Sequence, residues 1–144
     1  MPLRIFAAAF LLFAIVAPAG RAGAEDNGAA TAPLLSTGTT VLGETLHYPT
    51  SGPAHVTAAI VTLEPGAKTV LHRHGVPLFA YVLEGEITVD YGDRGTRTYR
   101  KGDALMEAMD VPHFGVDAGS KPVRILTVFI GAEGAPADVI PSQP

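Results

Sequence analysis

The chain has 144 residues, no cysteine, and 14 acidic against 10 basic side chains, for a formal charge of −4. That length suits one compact domain, and the charge leaves no basic surplus to hold nucleic acid. Without cysteine there are no disulfides and no thiolate nucleophile or ligand, so any metal donors must be nitrogen or oxygen.

Arg4 precedes an apolar run from Ile5 to Ala17, a Pro18-Ala19-Gly20 break and the small residues Ala22-Gly23-Ala24. This is the layout of a secretory signal peptide. The run falls short of the roughly 20 residues that span a bilayer, so cleavage after Ala24 is expected rather than an anchor, giving a periplasmic or secreted chain with no stable membrane span. Loss of Arg4 and Arg21 leaves 8 basic and 14 acidic residues, a formal −6 on 120 residues. Residues 25–40, rich in Ala, Gly and Thr and poor in large apolar side chains, predict a flexible leader.

From residue 41 to residue 131 the chain is a run of short segments rich in β-branched and aromatic residues, punctuated by Gly, Pro and Asp at intervals of about ten, the pattern of an all-β barrel or sandwich. Strands are expected at 44–48, 55–63, 68–74, 78–83, 86–91, 96–100, 104–108, 113–116 and 123–130. Turn chemistry separates them at Glu64-Pro65-Gly66, Glu84-Gly85, Gly92-Asp93-Arg94-Gly95, Lys101-Gly102-Asp103 and Asp117-Ala118-Gly119-Ser120. Thr96 to Arg100 reads as an outer or edge strand, whereas Val123 to Ile130 is apolar on both faces and needs cover on both. The tail, residues 132–144 with Pro136, Pro141 and Pro144, is expected to be irregular surface chain.

The sequence His72-Arg73-His74 carries the chemistry. Side chains on a strand alternate with period 2, so His72 and His74 project from one face and both imidazoles can reach a single ion. The plainer alternative is a pair of polar residues on a solvated face. Arg73, between them, points away. His47 and His55 have no comparable spacing and read as surface or edge residues.

Gly66-Ala-Lys-Thr-Val-Leu-His72-Arg-His74, followed by Tyr81-Val-Leu-Glu-Gly85-Glu86, resembles the first motif of the cupin superfamily: a glycine, five residues, H-x-H, a glutamate four residues on, and a closing glycine. The stretch from Gly102 through Asp110 and His113 to Asp117 is similar to the second motif. The resemblance is to small single-domain bacterial cupins of the type-2 kind, and it implies a double-stranded β-helix, a jelly-roll-like barrel, with a divalent metal inside. It carries over His72, His74 and His113 as the ligands. Neutral imidazoles suit Fe, Zn, Mn, Ni or Cu, and three of them leave open positions for water or substrate. It also implies pairing of two copies through sheet edges.

The chain departs from the family pattern at the glutamate ligand, whose place Leu78 takes, and at Ala108, Asp110 and Asp117, which stand where the motif has proline, glycine and asparagine. Asp110 is expected to turn the chain before His113 in a left-handed conformation. Two sites are open: three histidines completed by water or substrate, or the same three with Glu107 bending in as a fourth ligand or as an acid or base beside them. Alternation opposes the second, because Ala104, Met106 and Ala108 share one apolar parity and would place Glu107 outside unless a twist or bulge intervenes. Leu78, Ala80, Val82 and Met106 would form a narrow apolar pocket, although filling a core would account for the same residues.

There is no G-x-S-x-G elbow, no phosphate loop and no H-E-x-x-H, so hydrolase, nucleotide and metalloprotease readings lack support. Three functions are left. One is a mononuclear non-haem metalloenzyme acting on a small molecule, either Fe(II) dioxygenase-like or an isomerase or lyase with the metal as Lewis acid. The second is a non-catalytic small-molecule or metal binding module of the cell envelope, and the third is a structural domain with vestigial histidines.

Overall fold

The computed structural model describes residues 30–140; the expected signal peptide and the start of the leader lie outside them. The chain forms β1 (Ala54–Leu63), β2 (Arg73–His74), β3 (Leu78–Glu84), β4 (Glu86–Asp90), β5 (Thr96–Arg100), β6 (Ala104–Met106), β7 (Phe114–Val116), β8 (Val123–Ala132) and β9 (Asp138–Val139), with one 3₁₀ turn at Gly92–Arg94. All pairings are antiparallel. A four-stranded sheet runs β1-β8-β3-β6, a three-stranded sheet runs β5-β4-β7, and β2 pairs with β9.

Alternation decides what the sheets bury. Leu78, Ala80 and Val82 on β3 with Leu105, Val123 and Ile125 meet Ile87, Val89 and Tyr91 from the three-stranded sheet, and together they form the core. Each Leu, Ile or Val among them contributes about 1.5–3 kcal/mol on burial. Gly85 makes the β3–β4 turn possible twice over: its φ is +76°, and a Cβ there would lie 2.9 Å from the Pro122 carbonyl oxygen and the Val123 Cα. β8 lies between β1 and β3 in its sheet, with Val123, Ile125 and Thr127 buried on one face and Leu126, Val128 and Ile130 half-buried on the other. β1 stands at the edge, uncharged along its length, with Val56 60% and Ile60 48% exposed.

Four expectations about local structure need correction. Residues 44–48 are not a strand; they make an isolated bridge, Thr39↔Thr45, and the leader is ordered there, with Thr40 buried and Leu46 N–H bonded to the Gly38 carbonyl at 2.9 Å. Of 68–74 only Arg73–His74 forms a ladder, while Lys68 and His72 meet β7's neighbourhood through single bridges. The tail is not wholly irregular, since β9 pairs His74 with Asp138. Asp110 is not left-handed, because no described non-glycine residue has positive φ.

The bend before His113 is instead held from the N-terminal segment. The Glu44 carboxylate accepts from Met109 N–H (2.9 Å), Asp110 N–H (2.8 Å) and Thr40 Oγ1 (2.7 Å). Burial pushes the Glu44 pKa up, but these bonds, with a small electrostatic contribution from His113, outweigh it and hold the pKa below its usual 4.5. A lowered carboxylate pKa stabilises the fold above the unfolded value and loses that contribution as pH falls through the folded one. Glu44→Gln is therefore expected to cost about 1–2 kcal/mol at pH 7, read as a lower urea midpoint. The gap from the parent should close as both proteins are taken below pH 4.5; a gap independent of pH would show that the charge does not hold this turn.

Candidate metal centre

His72 and His113 are brought face to face by a reciprocal backbone pair: His72 N–H to the His113 carbonyl at 3.0 Å and His113 N–H to the His72 carbonyl at 2.8 Å. His74 lies two residues along the same face, as alternation requires. The three rings form a near-equilateral triangle, with centroid separations of 5.0, 4.8 and 5.0 Å. One donor atom from each lies within 4.8 Å of the others.

Hydrogen bonds settle which nitrogens face inward. Nδ1 of His72 bonds the Val70 carbonyl at 2.8 Å, Nδ1 of His113 bonds the Val111 carbonyl at 2.8 Å, and Nδ1 of His74 bonds the Asp138 carboxylate at 2.7 Å. Carbonyl and carboxylate oxygens only accept, so each Nδ1 carries the hydrogen and each Nε2 keeps its lone pair. The Nε2 of His113, in a residue only 1% exposed, has no hydrogen-bond partner. A buried polar atom left without a partner costs about 1–3 kcal/mol, and a metal ion removes that cost. Burial holds His74 well below its usual range, to about 4, with His113 and His72 adding to the effect and Asp138 opposing it. His74 is thus neutral near pH 7 and free to donate its lone pair. The donor set fits a divalent ion of the imidazole-preferring kind.

The histidines open into a cavity of about 260 Å³. Leu78, Ala80, Val61, Ile87, Val89, Ile125 and Phe129 make its apolar wall, and Thr69, Thr127, Glu107 and Asp138 add polar groups. Among the described lining residues there is no lysine or arginine. Leu78, in the place of the motif's glutamate, offers no donor. Val82 is core and does not line the cavity, nor does Met106, which was expected to.

The two faces of β6 are the reverse of the sequence reading. Ala80 pairs with Leu105 and Phe79 with Met106. Residues directly opposite share a face, so Leu105 and then Glu107 follow Ala80 inward while Met106 follows Phe79 outward. Met106 is buried nonetheless, and its carbonyl accepts from Val41 N–H at 2.9 Å. No bulge in β6 is needed to turn Glu107 in.

Glu107 is buried and lines the same cavity as the histidines, and it is not among the three residues whose donor atoms lie within 4.8 Å of one another. Its Oε1 accepts from Tyr91 Oη at 2.6 Å and from Ala108 N–H at 3.0 Å. The Tyr91 hydroxyl also meets the Tyr99 hydroxyl at 3.1 Å, and the Tyr91 ring lies 5.4 Å from that of His113. Burial, and then the Glu107 carboxylate, push the Tyr91 pKa far up, so Tyr91 remains a donor. Tyr91 could have been found from the sequence, since it shares parity with Ile87 and Val89. Asp138 could not, for nothing in a proline-rich tail signals a strand. His47 and His55 are exposed and away from the site, and Asp117, fully buried, ties its turn by accepting from Gly119 N–H (2.8 Å) and Val123 N–H (3.1 Å).

Comparison with known proteins agrees with this architecture. No curated protein matches the chain. Among solved structures, the oxalate decarboxylase of Lactobacillus farciminis in its formate complex is similar at 24% identity and a TM-score of 0.51, over 59% of this chain and 26% of that one. An oxalate oxidase is similar at 24% identity and 0.50, over 59% and 45%. The polyketide cyclase RemF from Streptomyces resistomycificus is similar at 23% identity and 0.52, over 69% and 70%. The chain thus spans about a quarter of the decarboxylase and under half of the oxidase, and the likeness is one of fold. The family model described as "Cupin domain" matches residues 59–129, the stretch that runs from β1 to β8 and contains all three histidines. With the two motifs, the jelly-roll sheets and the family match in agreement, this chain belongs to the cupins.

Proposed function

We propose that this cupin is a mononuclear metalloenzyme acting on a small, uncharged and largely apolar molecule that carries an oxygen donor. The observation that carries the reading is that one donor atom from each of three histidines lies within 4.8 Å of the others, in the lining of a cavity that Glu107 also lines. His72, His74 and His113 would hold a divalent ion, which when bound supplies Lewis acidity toward a substrate oxygen. The apolar wall excludes water and grips the remainder of the molecule. Glu107 is the acid or base: Tyr91 and Ala108 fix Oε1, and Oε2 takes no described protein partner and is available to accept or return a proton.

Proton transfer next to a metal-held oxygen is isomerase or lyase chemistry. The fold relatives named for oxalate act on a small anion; here the lining has no lysine or arginine, and the Glu107 and Asp138 carboxylates would together balance the charge of a divalent ion, which leaves little net attraction for an anion. Three neutral ligands with open positions also favour a second reading, an Fe(II) dioxygenase-like enzyme, which requires a redox-active ion and consumption of O₂. The N-terminal pattern ending at Ala24 supports export to the periplasm or beyond. Among the described residues, no helix is long and apolar enough to cross a membrane.

Elemental analysis of the protein recovered from the periplasm at near-native expression tests the reading. About one divalent ion per chain is expected. Iron with O₂ uptake would select the oxygenase branch, and zinc, manganese or nickel the Lewis-acid branch. Protein that is metal-free and resists reloading would remove the enzyme reading altogether.

A further inference from the structure

The segment after β8 is built into the metal centre. It turns at Gly134, with Ala135 N–H on the Ala132 carbonyl at 3.0 Å, and then runs antiparallel to β2, where Gly75 N–H meets the Ala137 carbonyl at 2.9 Å. The approach is so close that a Cβ at position 75 would lie 2.4 Å from the Pro136 carbonyl oxygen, so glycine there is what admits the strap. The register sets Asp138 opposite His74, and opposite residues of an antiparallel pair project to the same side. Asp138 Oδ1 accordingly reaches His74 Nδ1 at 2.7 Å.

His72 and His113 are each oriented locally, by the carbonyl two residues earlier in their own segment. His74 is oriented differently: the carbonyl two residues before it belongs to His72 and accepts from His113 N–H, and the His74 Nδ1 bonds Asp138 instead. Its orientation comes from a residue 64 positions away. The Asp138 side chain is 48% exposed, so the carboxylate makes this bond without the cost of a buried charge.

We infer that Asp138 is a positioning residue of the metal site: by accepting the Nδ1–H of His74 it fixes that ring and tautomer with Nε2 toward the ion and makes this nitrogen a stronger donor. The strap from 133 to 140 is thereby a working part of the centre. The inference rests on the metal reading above and adds to it a residue outside every motif of the chain.

Titration of the full chain with Co(II), followed by its visible absorption and by competition with a chelator of known affinity, tests it on the parent, Asp138→Ala, Asp138→Asn and His72→Ala. Asp138→Ala is expected to bind Co(II) about 10–100-fold more weakly than the parent. Asp138→Asn keeps an oxygen acceptor without the charge and should recover part of the loss. A parent that binds Co(II) together with an alanine variant of equal affinity overturns the inference and leaves the metal reading standing. Equal weakening in both Asp138 variants, with a matching fall in the melting temperature of the metal-free proteins, would make the strap a prop of the fold and also overturn it. A parent that binds no Co(II) removes the metal reading itself, and the inference with it.

Discussion

His72→Ala is expected to lose stable metal binding, with affinity down by more than about 100-fold, because a ligand counts for more than the 10–100-fold typical of a group behind one. The position makes a cleaner test than His113, which is almost fully buried and whose truncation would open a hole in the core. His72 is partly exposed, and its side chain makes one bond, to the Val70 carbonyl. Its backbone pair with His113 survives the substitution. The metal-free variant should therefore unfold within about 1 kcal/mol of the metal-free parent. Equilibrium dialysis against Zn(II) with elemental analysis, beside urea unfolding, separates the two effects. A variant that folds normally and still carries a full complement of metal would mean that the triad is not the ligand set.

The histidines were legible in the sequence because they obey a local rule. Period-2 alternation places His72 and His74 on one face, and motif spacing adds His113. The alternating core of β3 and the edge character of β5 were legible for the same reason. What the sequence hid depends on partners far along the chain. The apolar set Ala104, Met106 and Ala108 suggests an inward face, but the Ala80↔Leu105 register turns Leu105 and Glu107 inward and leaves Met106 on the other face with Phe79. Asp138 joins the site through a two-residue pairing too short to leave a periodic signal. Glu44 takes over the turn that a glycine makes in the family motif, through hydrogen bonds spanning 65 and 66 positions.

Glu107→Gln is expected to separate binding from chemistry. The amide oxygen can still accept from Tyr91 and from Ala108 N–H, the residue stays buried at the same volume, and the three histidines keep their own partners. Metal affinity should change by less than about threefold, since Glu107 lies outside the donor cluster and only its charge is removed. A proton acceptor near the reacting atom contributes about 10²–10⁴-fold to rate, and an amide cannot take that proton. With metal-loaded protein in D₂O, small neutral carbonyl compounds offered as substrates should exchange their α-protons in the parent, with the rate falling by about that factor in the variant. Tyr91→Phe gives the intermediate case, because it removes the donor to Oε1 while leaving the carboxylate able to accept a proton. Full exchange by a metal-loaded Glu107→Gln protein would reduce Glu107 to a buried partner of Tyr91. The acid or base would then have to come from the substrate or from water held in the cavity.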